Sequence, residues 1–211
     1  MKDVTVLMAL VDFVPVALFF AAAVLLQRAL YNKMVKGAFA LLAAGSILVF
    51  AGGAYKALWK ILYALGVCDY TLLEHSLFPM QGLGFLLVFL SLAGMFTKYN
   101  RGAVLPAVVP VYAGSLPFLI FQVLGCAGMQ WCLFAVALRM RRRPAAALFV
   151  LAFVSMLCMG YLSAKFDGSA AMNWLAQGVN IVSNGALLAG VILLDRAGLA
   201  RPDALARTAK A

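Results

Sequence analysis

Charge is what this sequence has least of. Asp, Glu, Lys and Arg make up 11% of its 211 residues, against about 25% in a soluble domain. Only seven residues are acidic, and His75 is the only histidine. The sequence has no carboxylate pair at acid–base spacing, no HExxH and no GxSxG, so no catalytic residue is assigned and no enzyme is expected. The four cysteines, Cys68, Cys126, Cys132 and Cys158, form no CxxC and have no histidine at metal spacing. No metal, cofactor or disulfide framework is therefore expected. A lone loop histidine beside Glu74 is ordinarily a solvated side chain.

What is abundant is apolar: 66% of the residues are hydrophobic. Long apolar runs alternate with short basic links, the pattern of a polytopic membrane protein rather than of a nucleic-acid binder, despite a formal net charge of +10. The N-terminal stretch lacks a basic n-region and a small-residue cleavage site, so it is taken as a retained first helix. Helices are expected at about 4–30, 37–64, 77–96, 145–164 and 172–194. The apolar segment 102–138 is slightly short for two spans at about 20 residues each. YAGSLP at 112–117 is its best turn, which divides it into a short helix with Pro106 and Pro110 and a full helix from Leu116 to Leu138.

The basic links 28–36, Lys98/Arg101, Arg139–Arg143 and the tail fall on one side of this plan, and Asp69, Glu74 and Asp167 on the other. The positive-inside rule then gives seven helices, N-terminus outside and C-terminus cytoplasmic, in the cell membrane. Gln81-Gly82 and Gln177-Gly178 stand 96 positions apart, and Leu92-Ala93-Gly94 and Leu188-Ala189-Gly190 repeat the same offset. Tyr55 stands against Tyr161, and Pro15 against Pro117. The expected organisation is a three-helix bundle (1–98), a linker helix (99–115), a second three-helix bundle (116–196) and a basic tail (197–211), a parallel 3+1+3 repeat.

The last span carries Asn173, Gln177, Asn180 and Asn184 at i, i+4, i+7 and i+11, one narrow arc of a helix. An amide cannot face lipid without a partner. The stripe is either interhelical hydrogen-bond glue or one wall of a polar pathway. Counting 1.5 Å per residue puts Asp12, Lys56, Gln81, Gln122 and Gln177 at one level, roughly 24–28 Å from the basic end. Asp12 and Lys56 lie on two arms of one hairpin. They either form an ion pair or leave Lys56 and Lys60 to snorkel toward the headgroups. Tyr55, Trp59 and Tyr63 fit an interfacial aromatic belt, with a ligand pocket as the second reading.

Seven short helices in this 3+1+3 order resemble the SWEET/PQ-loop transporter group and the related KDEL-receptor fold. The resemblance lies in architecture over the whole chain. Pro15 is followed by Val16 and Pro117 by Phe118 where that group has Pro-Gln, and Pro79-Met80-Gln81 is interrupted. The group's asparagine on the last helix of each triplet has a counterpart in Asn180 or Asn184, whereas Gly84 and Val88 stand at the matching positions of the first triplet. Microbial rhodopsins share the helix count, but the last span lacks the lysine a retinal pigment requires.

The resemblance implies a transporter for a polar or zwitterionic small molecule. Asn180, Asn184, Gln177, Gln81, Gln122 and Asn173 would contact the solute, and Asp12 and Lys56 would form a gate. A seven-helix receptor or sensor binding in the same funnel is the alternative, and a scaffold glued by amides the third reading. Membrane lipid and a small solute are the expected partners, nucleic acid is not, and an oligomer stays open.

Overall fold

The computed structural model describes residues 5–96, 116–165 and 169–200, and every regular element among them is helical. In chain order these are α1 (Val6–Val11), α2 (Phe13–Leu30), α3 (Lys36–Ala64), α4 (Thr71–His75), α5 (Leu77–Ala93), α6 (Leu116–Arg139), α7 (Arg143–Ala164) and α8 (Ala170–Arg196). Among the described residues six stretches are long and apolar enough to cross a membrane: Val6–Leu30, Lys36–Ala64, Thr71–Ala93, Pro117–Arg139, Arg143–Leu162 and Ala170–Arg196. That composition is compatible with a multi-pass membrane protein. The linker helix expected at 99–115 lies outside the described residues, as do Lys98, Arg101, Asp167 and the tail beyond residue 200.

One boundary departs from the sequence reading. The first span is broken at Asp12, because Pro15 has no N–H and its ring clashes with the Val11 carbonyl four residues back. The polar link between α3 and α5, which holds Asp69, Glu74 and His75, contains the short helix α4.

The spans form a closed ring. α2 packs on α3, α3 on α5, α5 on α6, α6 on α7, α7 on α8, and α8 returns to α2. Most neighbours are antiparallel, but two seams are parallel. In the α5/α6 seam, Gln122 Nε2 donates to Gln81 Oε1 at 3.2 Å near one end, and the Arg139 guanidinium lies 4.5 Å over the Phe96 ring at the other. In the seam of the first span (α1 and α2) with α8, which we call the α2/α8 seam, Gln177 Nε2 donates to the Met8 carbonyl of α1 at 2.9 Å, and at the far end Lys33 Nζ donates to the Leu199 carbonyl. The end of α5 and the start of α6 therefore lie at opposite ends of the bundle.

Lipid tails give helices no hydrophobic reason to associate, so packing and hydrogen bonds must hold the ring. Glycines supply the packing in one half. A Cβ on Gly45 would come within 2.6 Å of the Gly84 carbonyl, and one on Gly84 within 2.8 Å of the Gly45 carbonyl. Gly82 lies as closely against the backbone of Phe118, and Gly125 against that of Phe85 and Leu86. Outward faces are apolar, with Trp131, Ile47 and Leu7 all well exposed.

The two ends of the bundle differ in chemistry. Arg28, Lys36, Arg139, Arg141, Arg142, Arg143 and Arg196 gather at what we call the arginine end. Just inside it, Leu26, Leu30, Leu92, Phe96, Leu133 and Leu199 enclose a gap of only about 10 Å³. Leu199 enters this layer through a helix-ending turn: Gly198 takes φ 88°, its N–H bonds the Asp195 carbonyl, and the Leu199 N–H reaches back to Leu194.

Candidate functional site

The opposite, polar end holds the candidate site. Asp12 stands at the break between α1 and α2, with Oδ2 2.5 Å from Lys60 Nζ. Lys60 is buried, and its ammonium also makes a long contact, 3.5 Å, with Asn173 Oδ1 on α8. One ion pair thus ties the broken first span to α3 and α8. Among the described residues it is the only one. Burying two charges is tolerable only when they are paired and hydrogen-bonded, and the third group supplies part of that satisfaction.

The partner of Asp12 differs from the sequence expectation. Lys56 was expected from equal counts along the two arms of the hairpin, and the structure uses Lys60, one turn further toward the polar end. Lys56 is half-buried on the same helix, one turn deeper. Trp59, expected in the interfacial belt, is buried and donates its indole N–H to Asp69 at 3.0 Å, folding the link between α3 and α4 onto α3. Tyr55 remains exposed, and the rings of Trp59 and Tyr63 lie 5.7 Å apart. Exposed His75 closes α4. Among the described residues no three His, Cys, Asp or Glu side chains group as a metal site.

The amide stripe of α8 divides into two pairs. Asn173 and Gln177 are buried and reach other helices. Asn180 and Asn184 are half-buried, and the Asn184 amide donates to both the backbone carbonyl and the side-chain oxygen of Asn180, each at 2.9 Å. Those two hydrogen bonds stay within one helix. Gln81 and Gln122, expected at the level of Gln177, are bonded to each other in the α5/α6 seam, while Gln177 belongs to the α2/α8 seam.

Three glutamines hold a buried side-chain carbonyl oxygen with no donor among the described residues: Gln122, Gln130 and Gln177. A buried acceptor left without a donor costs about 1–3 kcal/mol, so each is a place where a donor would be bound favourably. Gln130 was not singled out in the sequence. Its signal was available: Gln122, Cys126 and Gln130 recur every four residues and so share one face of α6.

Against known protein families, curated proteins and solved structures, the chain gives no match.

Proposed function

We propose that this protein is a small seven-helix transporter or facilitator for a polar or zwitterionic solute, entered from the polar end, in the cell membrane with its C-terminus cytoplasmic. A seventh crossing between Phe96 and Leu116 would follow from the parallel run of α5 and α6, and would give the 3+1+3 plan of two triplets, α2-α3-α5 and α6-α7-α8. The two parallel seams support that plan, because Gln81 and Gln177, 96 positions apart, each bond across the corresponding seam. The likeness of this plan to the SWEET/PQ-loop group rests on architecture.

The observation that carries the proposal is the set of buried glutamine acceptors on α6 and α8, together with the Asp12–Lys60 pair, whose two charges a zwitterion can address from either sign. Solute donors would satisfy Gln177, Gln122 and Gln130, with half-buried Asn180 and Asn184 between polar end and centre. The apolar layer around Leu199 would then be the inner closure, and rocking of one triplet against the other would open it.

Uptake into proteoliposomes from a panel of labelled zwitterionic solutes tests this. The proposal expects uptake of at least one solute, lost in Gln177→Leu and Asn184→Leu. Saturable binding without uptake would move the protein to the receptor reading, in which the same funnel ends at the Leu199 layer. Neither binding nor uptake would leave the amides as structural groups. Cysteine labelling checks the orientation: positions near Glu74 should react from outside and positions near Arg141 from the cytoplasm.

A further inference from the structure

A groove of about 230 Å³ opens at the arginine end between the start of α7 and the end of α8. It is lined by the exposed Arg141, Arg142 and Arg196 and by the apolar residues Pro144, Ala145 and Leu193. A space of that size admits a phosphate with its glycerol.

Two further features favour an anion there. The N-terminus of α7 has Arg142 at its cap with no side-chain hydrogen bond; Pro144 has no N–H, so Arg143 and Ala145 supply the first-turn N–H groups at the positive end of the helix dipole. Arg141 takes φ 56°, the left-handed region that a glycine would occupy without strain. Its turn closes as such turns do, with Arg141 N–H on the Leu138 carbonyl at 2.9 Å and Arg142 N–H on that of Ala137 at 2.8 Å. The position asks for glycine, and an arginine that lines the groove stands there instead. Residues held in strained backbone cluster where their side chains do something.

We infer that this groove is a binding site for the phosphate headgroup of an anionic phospholipid from the adjoining leaflet, held by Arg141, Arg142 and Arg196 over the N-terminus of α7. The apolar residues take the glycerol side, and the arginines take the phosphodiester. The end of α8 buries Leu194 in the core and lines the groove with Leu193 and Arg196, and the turn that follows puts Leu199 into the apolar layer. A bound headgroup therefore braces the segment that closes the arginine end.

The full chain in detergent, titrated with phosphatidylglycerol, phosphatidylcholine or inorganic phosphate at constant ionic strength, gives the test, with Tm as readout. Phosphatidylglycerol should raise Tm saturably and the other two should not. Removing each arginine should raise the half-saturating lipid concentration about fivefold, the factor that corresponds to about 1 kcal/mol per basic residue near a membrane surface. Arg141→Gly separates binding from folding, since it should raise the lipid-free Tm by relieving the backbone while weakening the lipid response. Arg28→Gln with Lys36→Gln, at the same end but outside the groove, should leave the response intact. An equal response to inorganic phosphate, an unchanged response in the arginine variants, or an equal loss in the Arg28/Lys36 control would each overturn the site.

Discussion

The two parallel seams of the ring are closed by different means. In α5/α6, glycine brings backbone against backbone: Gly82 meets Phe118, Gly125 meets Phe85 and Leu86, and among the described residues the side-chain hydrogen bond across it joins two neutral amides, Gln81 and Gln122. In α2/α8, the glycines of α8 do not close the contact. A Cβ on Gly178 or Gly185 would meet nothing within 4 Å, and the neighbouring spans are joined by Gln177 to a backbone carbonyl and by Asn173 to the Asp12–Lys60 pair. Close-packed backbone has one good geometry, whereas hydrogen bonds to amides and charges can be exchanged for water or solute at little cost. If the two halves move on each other, the α2/α8 seam is the one built to part.

Steric substitution should break the comparison most sharply. Gly125→Leu forces a side chain into the backbone of α5 and should cost about 3 kcal/mol or more, seen as loss of the monodisperse peak in size-exclusion chromatography. Gly178→Leu on α8 should leave that peak unchanged. Equal damage at both positions would mean the seams are alike after all.

The ion pair comes next. Asp12→Asn and Lys60→Met should each destabilise by about 2–3 kcal/mol, somewhat below the 3–5 kcal/mol of a fully buried pair because Asp12 keeps 16% of its side-chain exposure. A double-mutant cycle on Tm should show recovery for Asp12 with Lys60 and strict additivity for Asp12 with Lys56. Coupling to Lys56 instead would restore the partner expected from the sequence.

The amides should have the smallest effect on stability. Gln177→Leu loses a bond to another helix and should cost about 0.6–1.7 kcal/mol, the range for hydrogen bonds between membrane helices. Asn184→Leu loses only bonds to its own helix and should cost less than about 0.5 kcal/mol, the size of an i,i+4 contact on one helix. Chemical denaturation of the two variants side by side measures the difference, and a larger loss for Asn184 would make it interhelical glue.

Much of this was legible in the sequence for a simple reason: a span announces itself by the length of its apolar run, and five of the expected helices fall within a few residues of their observed ends. The Asp12 break has its sequence signal in Pro15. Partners across helices were harder. Equal counts from a turn assume equal tilt on both arms, and the error made, Lys56 for Lys60, is one helical turn of about 5.4 Å. The α2/α8 seam joins the first described span to the last, and no local pattern encodes such a pairing. Only the shared level of Asp12 and Gln177 hinted at it. Gln130 escaped because one amide among apolar neighbours looks like filler until its burial is known.

The pairing of Met8 with Gln177 also sets a schedule for assembly. At about 5–20 residues per second, roughly eight to thirty-five seconds separate the synthesis of these two positions. The hairpin of α2 and α3 can bring Asp12 to Lys60 early in that interval, while the side of α2 destined for α8 has only lipid, or another chain, beside it. Closure of the ring is therefore a late step that depends on the last described helix, and a nascent chain stalled before Ala170 would present the membrane with an open six-membered circle lacking one member.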